Sequence, residues 1–283
     1  MKTGIAFGGG GVRGVAHLLA MEVFDEFDLQ PAAIAGTSIG AIMGALYASG
    51  RSGSQIREVI HEHIILRDDR LRELRRKGKN LLKWFGFFRP SIGHRAVLSP
   101  DGFLQYLLSL LAVETFEELE VPFHAVATDF HARKRVVLSE GDLLPAIKAS
   151  MAIPGVFEAV VHDGRVLVDG GIVDNLPYDV LYETCDRVIA IDVMPRAQRG
   201  ELDPPKMFDA VLGAFDTMME KSTERALERQ HPAVYLRTSL QNIRILDFDK
   251  IETVYEQAMP AMDELRRDLE VFLSRDSSET GSS

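Results

Sequence analysis

The chain has 283 residues, of which 46% are hydrophobic and 26% charged, an ordinary globular composition with enough apolar material for a sizeable core. Its 32 Lys and Arg against 42 Asp and Glu give a net charge of −10, which argues against a chain built to grip nucleic acid. Cys185 is the single cysteine, so an intramolecular disulfide and zinc sites of the paired-cysteine type are excluded, and a reducing compartment is the simplest setting.

No apolar stretch of signal-peptide length follows Met1, so secretion by that route is not expected, and none reaches the ~18 residues of a membrane-spanning helix; the compact single-domain form is what points to the cytoplasm. In chain order, residues 2–7 form a short strand ended by Gly8, Gly9, Gly10 and Gly11. Residues 13–27 have helical spacing, 32–35 make a second strand and 39–48 a second helix. This alternation is that of an α/β fold. Residues 55–84 read as largely helical and highly charged. Ser99, Pro100 and Asp101 supply a cap, a first-turn proline and an acid favoured by the helix dipole, starting a helix that runs to about Leu111. Strands return at 122–128, 134–138, 166–168, 187–193 and 233–237. Helices are expected at 209–230 and 252–273. One domain covers 1–273, and the Ser-rich stretch 274–283 reads as a disordered tail.

Three motifs can carry chemistry. Gly36-Thr37-Ser38-Ile39-Gly40 is a G-x-S-x-G set between a strand and a helix. A nucleophilic serine at such an elbow sits in a strained backbone, and glycines at 36 and 40 let strand and helix approach closely. A Gly-rich turn with Ser38 as a plain helix cap fits the same residues. Gly8 to Gly14 forms a glycine loop opening a helix, whose exposed amides suit an anion, either a phosphate or a developing oxyanion. Gly9, Gly11 and Gly14 also satisfy G-x-G-x-x-G. However, the acid that a dinucleotide site needs about 20 residues later is missing, and Ser38 stands there instead. Third, in Val168-Asp169-Gly170-Gly171-Ile172-Val173-Asp174-Asn175 the acid Asp169 ends a strand; the carboxylate can orient or deprotonate a serine, or the Asp-Gly dipeptide can simply be a turn. A serine nucleophile normally needs a histidine base. In α/β-hydrolase order only His231 follows Asp169, and it sits before Pro232 at a helix end. His17 reads as a packing residue, and His61-Glu62-His63 lacks helical metal-ligand spacing, so no metal is expected.

Taken in order, Gly9-Gly10-Gly11-Val12-Arg13-Gly14, Gly36-Thr37-Ser38-Ile39-Gly40, the segment Ala149-Ser150-Met151-Ala152-Ile153-Pro154-Gly155-Val156-Phe157, and Asp169-Gly170-Gly171 resemble the patatin-like phospholipase family, in its bacterial single-domain form. The resemblance covers residues 2–193. It implies a three-layer α/β/α sandwich around a mostly parallel sheet. It also implies a Ser38–Asp169 dyad with no histidine, an oxyanion hole from Gly9, Gly10 and Gly11 with Arg13 nearby, and no cofactor. The implied substrates are phospholipids, lysophospholipids or other fatty-acyl esters. Between Arg67 and Arg89, nine Lys and Arg face three acids, a net charge of +6, and the stretch ends in Trp84-Phe85-Gly86-Phe87-Phe88. That mixture suits a peripheral membrane contact or a lid, and equally a solvated helix beside a packed aromatic cluster.

Overall fold

The computed structural model describes residues 1–61, 113–196 and 204–279. The expected helix ending near Leu111, and the basic-aromatic segment between Arg67 and Arg89, lie outside them. The described residues build one eight-stranded sheet. The strands are β1 (Thr3–Phe7), β2 (Ala33–Thr37), β3 (Phe123–Asp129), β4 (Lys134–Leu138), β5 (Val160–His162), β6 (Arg165–Asp169), β7 (Arg187–Asp192) and β8 (Val234–Arg237). β3, β2, β1, β7 and β8 lie side by side and parallel, while β4, β6 and β5 extend the sheet by antiparallel pairing. A mostly parallel sheet with both faces covered is the expected architecture.

The two faces explain the strand sequences. β1 and β2 are buried along their whole length, as strands of a parallel sheet covered on both sides must be. Ile5, Phe7, Ile34, Ile189 and Ile191 point to a thick layer of helices: α1 (Ala16–Glu26), α2 (Ile39–Ala48), α3 (Gly53–Ile60) and the last helix, α6 (Ile251–Glu279). Ala6, Ala33, Ala35 and Ala190 point the other way. There, only small side chains fit beneath the 3-10 segment Tyr178–Glu183 and residues Ala226 and Leu227 of α5 (Met207–Arg229). A short helix, α4 (Leu143–Ser150), lies between β4 and β5.

Several boundaries differ from the sequence reading. The first helix does not start at Arg13; a 3-10 turn, Gly11–Val15, precedes α1. The tighter turn sets Gly14 against Ile39, where any β-carbon would lie 2.4 Å from that side chain. α4 and the three-residue β5 were not anticipated; each is too short for periodicity to register. The last helix continues to Glu279 instead of stopping at Leu273, taking in residues assigned to the tail, because Ser, Asp and Glu do not break a helix already anchored by Leu265, Leu269 and Phe272.

β3 positions the two loops that carry Ser38 and Asp169. Its first half pairs with β2, ending at Thr37 opposite Val126; its second half pairs with β6, starting at Ala127 opposite Asp169. Adjacent residues of one strand therefore hold the last residue of β2 and the last of β6. The chain ends meet only because glycine leaves room: a β-carbon on Gly40 would lie 2.2 Å from the Phe7 carbonyl oxygen, and one on Gly36 2.2 Å from the Gly40 carbonyl oxygen. Gly213, on the exposed side of α5, has nothing within 4 Å of such an atom. Gly40→Ala should destabilise the protein by about 2–3 kcal/mol or prevent folding, whereas Gly213→Ala should stabilise it by about 0.5–1 kcal/mol through helix propensity. Urea midpoints of the two variants check both signs, and a neutral Gly40→Ala would contradict the packing account.

Candidate active site

Ser38 occupies the step between β2 and α2 with φ 56° and ψ −122°. A residue with a β-carbon holds such a conformation at a cost of order 1–3 kcal/mol and only where its surroundings enforce it. Here the enforcement comes from both sides. The Ser38 N–H donates to Ser150 Oγ at 2.9 Å, and Ser150 Oγ donates to the Val126 carbonyl at 2.6 Å. On the other side the Ala41 N–H donates to the Ser38 carbonyl at 2.9 Å. The Ser38 side chain makes no capping hydrogen bond to α2, so the plain helix-cap reading fails and the hydroxyl is left for other use. It lies at the N-terminus of α2, where the helix dipole favours negative charge.

Asp169 closes β6 and is fully buried. Its main chain is fixed by the Thr128 hydroxyl, which donates to the Asp169 carbonyl at 2.9 Å, and by its own N–H, which donates to Ala152 O at 3.0 Å. Oδ1 accepts the Gly171 N–H at 2.8 Å, while Oδ2 is buried without a hydrogen-bond partner among the described residues. Burial pushes the carboxyl up to about 7; the Gly171 amide and then the Ser38 hydroxyl pull in the opposite direction. Ser38 thus stands close enough to bear on Asp169, while its hydroxyl does not complete a hydrogen bond to Oδ2. Gly170 is required for this turn, since a β-carbon there would lie 2.2 Å from the Val126 carbonyl oxygen.

The glycine loop passes directly over Ser38: a β-carbon on Gly9 would sit 3.3 Å from that of Ser38. Two of its amides are engaged, Gly8 N–H to Ile191 O and Gly9 N–H to Asn175 O, each at 3.0 Å. Those of Gly10 and Gly11 have no acceptor among the described residues. Arg13 is 2% exposed, and its guanidinium is fully committed. Two nitrogens grip Asp216 at 2.8 Å each and Nε donates to Ile243 O at 2.8 Å. Arg13 therefore clamps the loop to α5 and to the chain near Ile245, whose carbonyl accepts the Val12 N–H. His17 anchors the other end, its Nε2–H meeting Gly8 O at 2.8 Å. Burial pushes its pKa down to about 4, so it is neutral and structural, as a packing residue would be. His231 is exposed and precedes β8, at the opposite end of the parallel strands from Ser38. It cannot serve as the serine's base.

Three contributors have no role in the sequence reading. Ser150 lies within a segment already singled out, where no residue is given a role of its own. Asn175 is fully buried between the two loops, with Nδ2 donating to Gly9 O at 3.4 Å and Oδ1 against Gly9 and Gly171. Asp216 is 203 residues from Arg13, a pairing that no local pattern encodes.

The arrangement has relatives. A family model described as patatin-like phospholipase matches residues 5–182. An uncharacterized NTE family protein of Mycobacterium bovis is 35% identical over 176 residues, covering 62% of this chain and 44% of that protein. Patatin-like phospholipase domain-containing protein 7 of Rattus norvegicus is 29% identical over 280 residues, covering 89% of this chain and 20% of that one. The chain thus spans less than half the length of these curated relatives. Among solved structures, VipD from Legionella pneumophila superimposes with a TM-score of 0.54 over 93% of this chain and 67% of that chain at 14% identity, a likeness of fold. With the glycine loop, the serine elbow and the Asp-Gly-Gly turn all inside the matched span, the chain belongs to the patatin-like phospholipase family.

Proposed function

We propose that this protein hydrolyses fatty-acyl esters of lipids through an acyl-enzyme on Ser38, with Asp169 as the only general base. Family membership supports lipid-ester hydrolysis in general. The observation that carries the finer reading is the pairing of a strained, uncapped serine with a buried carboxyl whose free oxygen has no hydrogen-bond partner among the described residues.

Ser38 Oγ attacks the ester carbonyl and gives its proton to Asp169 Oδ2. Negative charge develops on the carbonyl oxygen, and we assign its stabilisation to the N–H groups of Gly10 and Gly11, which have no acceptor among the described residues, aided by the α2 dipole. Gly9 and Arg13 act on the loop's shape: Gly9 through its bond to Asn175, Arg13 through its grip on Asp216. Asp169 then protonates the leaving alcohol. A water molecule, deprotonated by the same carboxylate, releases the fatty acid. A carboxylate with an ordinary pKa near 4 is a weak base at neutral pH; burial moves Asp169 to where one group can both take and return a proton. The substrates proposed are phospholipids, lysophospholipids or neutral acyl esters, without metal or cofactor.

On a panel of lipid and short-chain esters, Ser38→Ala should lose at least about 1,000-fold in kcat, and Asp169→Asn about 100- to 10,000-fold, the usual range for a general base. Retention of wild-type turnover by either variant would overturn the dyad. The base must be ionised to act, so kcat/KM should fall as pH drops below about 7 and level off above it. An acid limb near 4 would contradict a buried base.

The same shift appears in stability. The folded-state pKa lies above the ordinary 3.8, so the native protein holds a proton that the unfolded chain releases between about 4 and 7. Stability from this group therefore falls as pH rises through that window. Asp169→Asn should melt above the wild type at pH 8, and the gap should narrow as pH falls towards 4. A pH-independent gap would show that Asp169 is not ionised at a cost to the fold.

A further inference from the structure

The two amides assigned to the developing oxyanion belong to the peptide units Gly9–Gly10 and Gly10–Gly11. A trans peptide is planar, so its N–H points opposite to its C=O. The described residues contain no cis peptide bond. Whatever holds the carbonyl of such a unit therefore aims its amide. Gly10 O accepts the Arg13 N–H at 3.3 Å inside the 3-10 turn, which orients the Gly11 amide. Gly9 O has a different partner: Nδ2 of Asn175, 166 residues away in the chain, at 3.4 Å.

Asn175 holds both polar groups of Gly9. Its main-chain carbonyl accepts the Gly9 N–H at 3.0 Å, while its side chain donates to the Gly9 carbonyl. The orientation of the side-chain amide follows from this contact. A carbonyl only accepts, so the nitrogen and not the oxygen must face Gly9 O. Oδ1 is turned to where β-carbons on Gly9 and Gly171 would meet it at 2.5 and 3.1 Å. It has no hydrogen-bond partner among the described residues, although Asn175 is fully buried. A buried acceptor without a partner is unfavourable, and an apolar side chain of the same shape would avoid it. Packing alone therefore does not call for asparagine at this position, whereas the donor on Nδ2 does.

The support of this donor is rigid. The Asn175 N–H donates to Ser222 Oγ of α5 at 3.0 Å. The residue before it, Asp174, donates its N–H to Gly170 O and accepts the Thr37 hydroxyl on its own carbonyl, each at 2.9 Å. Arg135 of β4 holds the Asp174 carboxylate at 2.7 Å. Residues 174 and 175 are thus tied to the turn after Asp169, to the residue before Ser38 and to the glycine loop. The restraint acts where the chain needs one: the Gly9–Gly10 unit has no β-carbon at either end, so sterics do little to fix its rotation.

We propose that Asn175 is a positioning residue for ester hydrolysis: by holding the Gly9 carbonyl, its Nδ2–H aims the Gly10 amide at the carbonyl oxygen of the substrate. It acts through the Gly9–Gly10 peptide and moves no proton. The inference rests on the Ser38 hydrolase reading and divides the oxyanion hole in two, one amide set by the local turn and the other by a residue distant in sequence. Charge on the substrate oxygen develops chiefly in the transition state, so a misaimed amide lowers turnover and leaves ground-state binding nearly unchanged.

The test compares wild type, Ser38→Ala, Asn175→Leu and Asn175→Ala on a soluble short-chain ester, with melting curves for each. Leu keeps the branched shape without the donor, and Ala removes the donor without adding methyl groups. Both Asn175 variants should melt near the wild type and lose about 100-fold in kcat, the lower end of the cost of one oxyanion donor, with KM within about threefold. Fluorophosphonate labelling of Ser38 should slow in parallel, because the phosphonyl oxygen takes the place of the oxyanion. The acid limb of kcat/KM should stay where it is in the wild type, since the base is untouched. Wild-type kcat in both variants overturns the proposal, as does a raised KM with kcat intact. A displaced acid limb also overturns it, because the substitution would then act on the Asp169 turn. Failure of both variants to fold would make Asn175 a packing residue and overturn it equally. Full turnover by Ser38→Ala is a separate failure, that of the dyad on which the inference rests.

Discussion

β3 changes partner between Val126 and Ala127, and the geometry of the site follows from that switch. Thr37 ends β2 opposite the first residue and Asp169 ends β6 opposite the second, so the serine that follows Thr37 and the carboxylate that ends β6 are set by neighbouring peptide units of one strand. Nothing flexible lies between them. The hydroxyls of Ser150 and Thr128 and the turn of Gly170 are all tied to this short stretch of main chain or to Asp169 itself. Strand pairing supplies the precision that the proposed two-residue site requires, because each of its hydrogen bonds is buried and cooperative with the next.

Placing the two groups of the proposed dyad at the ends of buried strands has consequences elsewhere. Ser38 is forced to a positive φ, and Asp169 loses its hydration; both are unfavourable for the fold and are what the proposed chemistry uses. The surrounding structure holds them there by close approach. Gly9, Gly36, Gly40 and Gly170 lie where a β-carbon would meet main-chain or buried atoms, and Arg13 and His17 fasten the two ends of the glycine loop. The loop is thereby shaped from both sides while the amides of Gly10 and Gly11 stay free.

Much of this was legible in the sequence, and the reasons are specific. β1 and β2 announce themselves as short apolar runs ended by glycines, because strands buried on both faces cannot alternate. The elbow at Ser38, with glycines on both sides, and the turn at Asp169, with two glycines after it, are visible because glycines so close to a polar residue are rarely needed except where chains approach closely. The helices α5 and α6 are long enough for their period to show. What could not be read was non-local. Asp216 meets Arg13 across 203 residues, Ile245 covers Gly11, and Asn175 bridges two loops; each depends on tertiary contact. The three-residue β5 and the eight-residue α4 hold too few residues to express a period. The boundary at Leu273 was misjudged because composition favours disorder in a free segment, whereas this one continues a helix already nucleated by packing.

The central claim is that this backbone activates Ser38. Intact-mass analysis after incubation with a fluorophosphonate, on the wild type and on Ser38→Ala in the presence of liposomes, tests it most directly. The account predicts a single adduct on the wild type and none on Ser38→Ala. An adduct that persists in Ser38→Ala, or a folded wild type that stays unmodified beside liposomes, would contradict it.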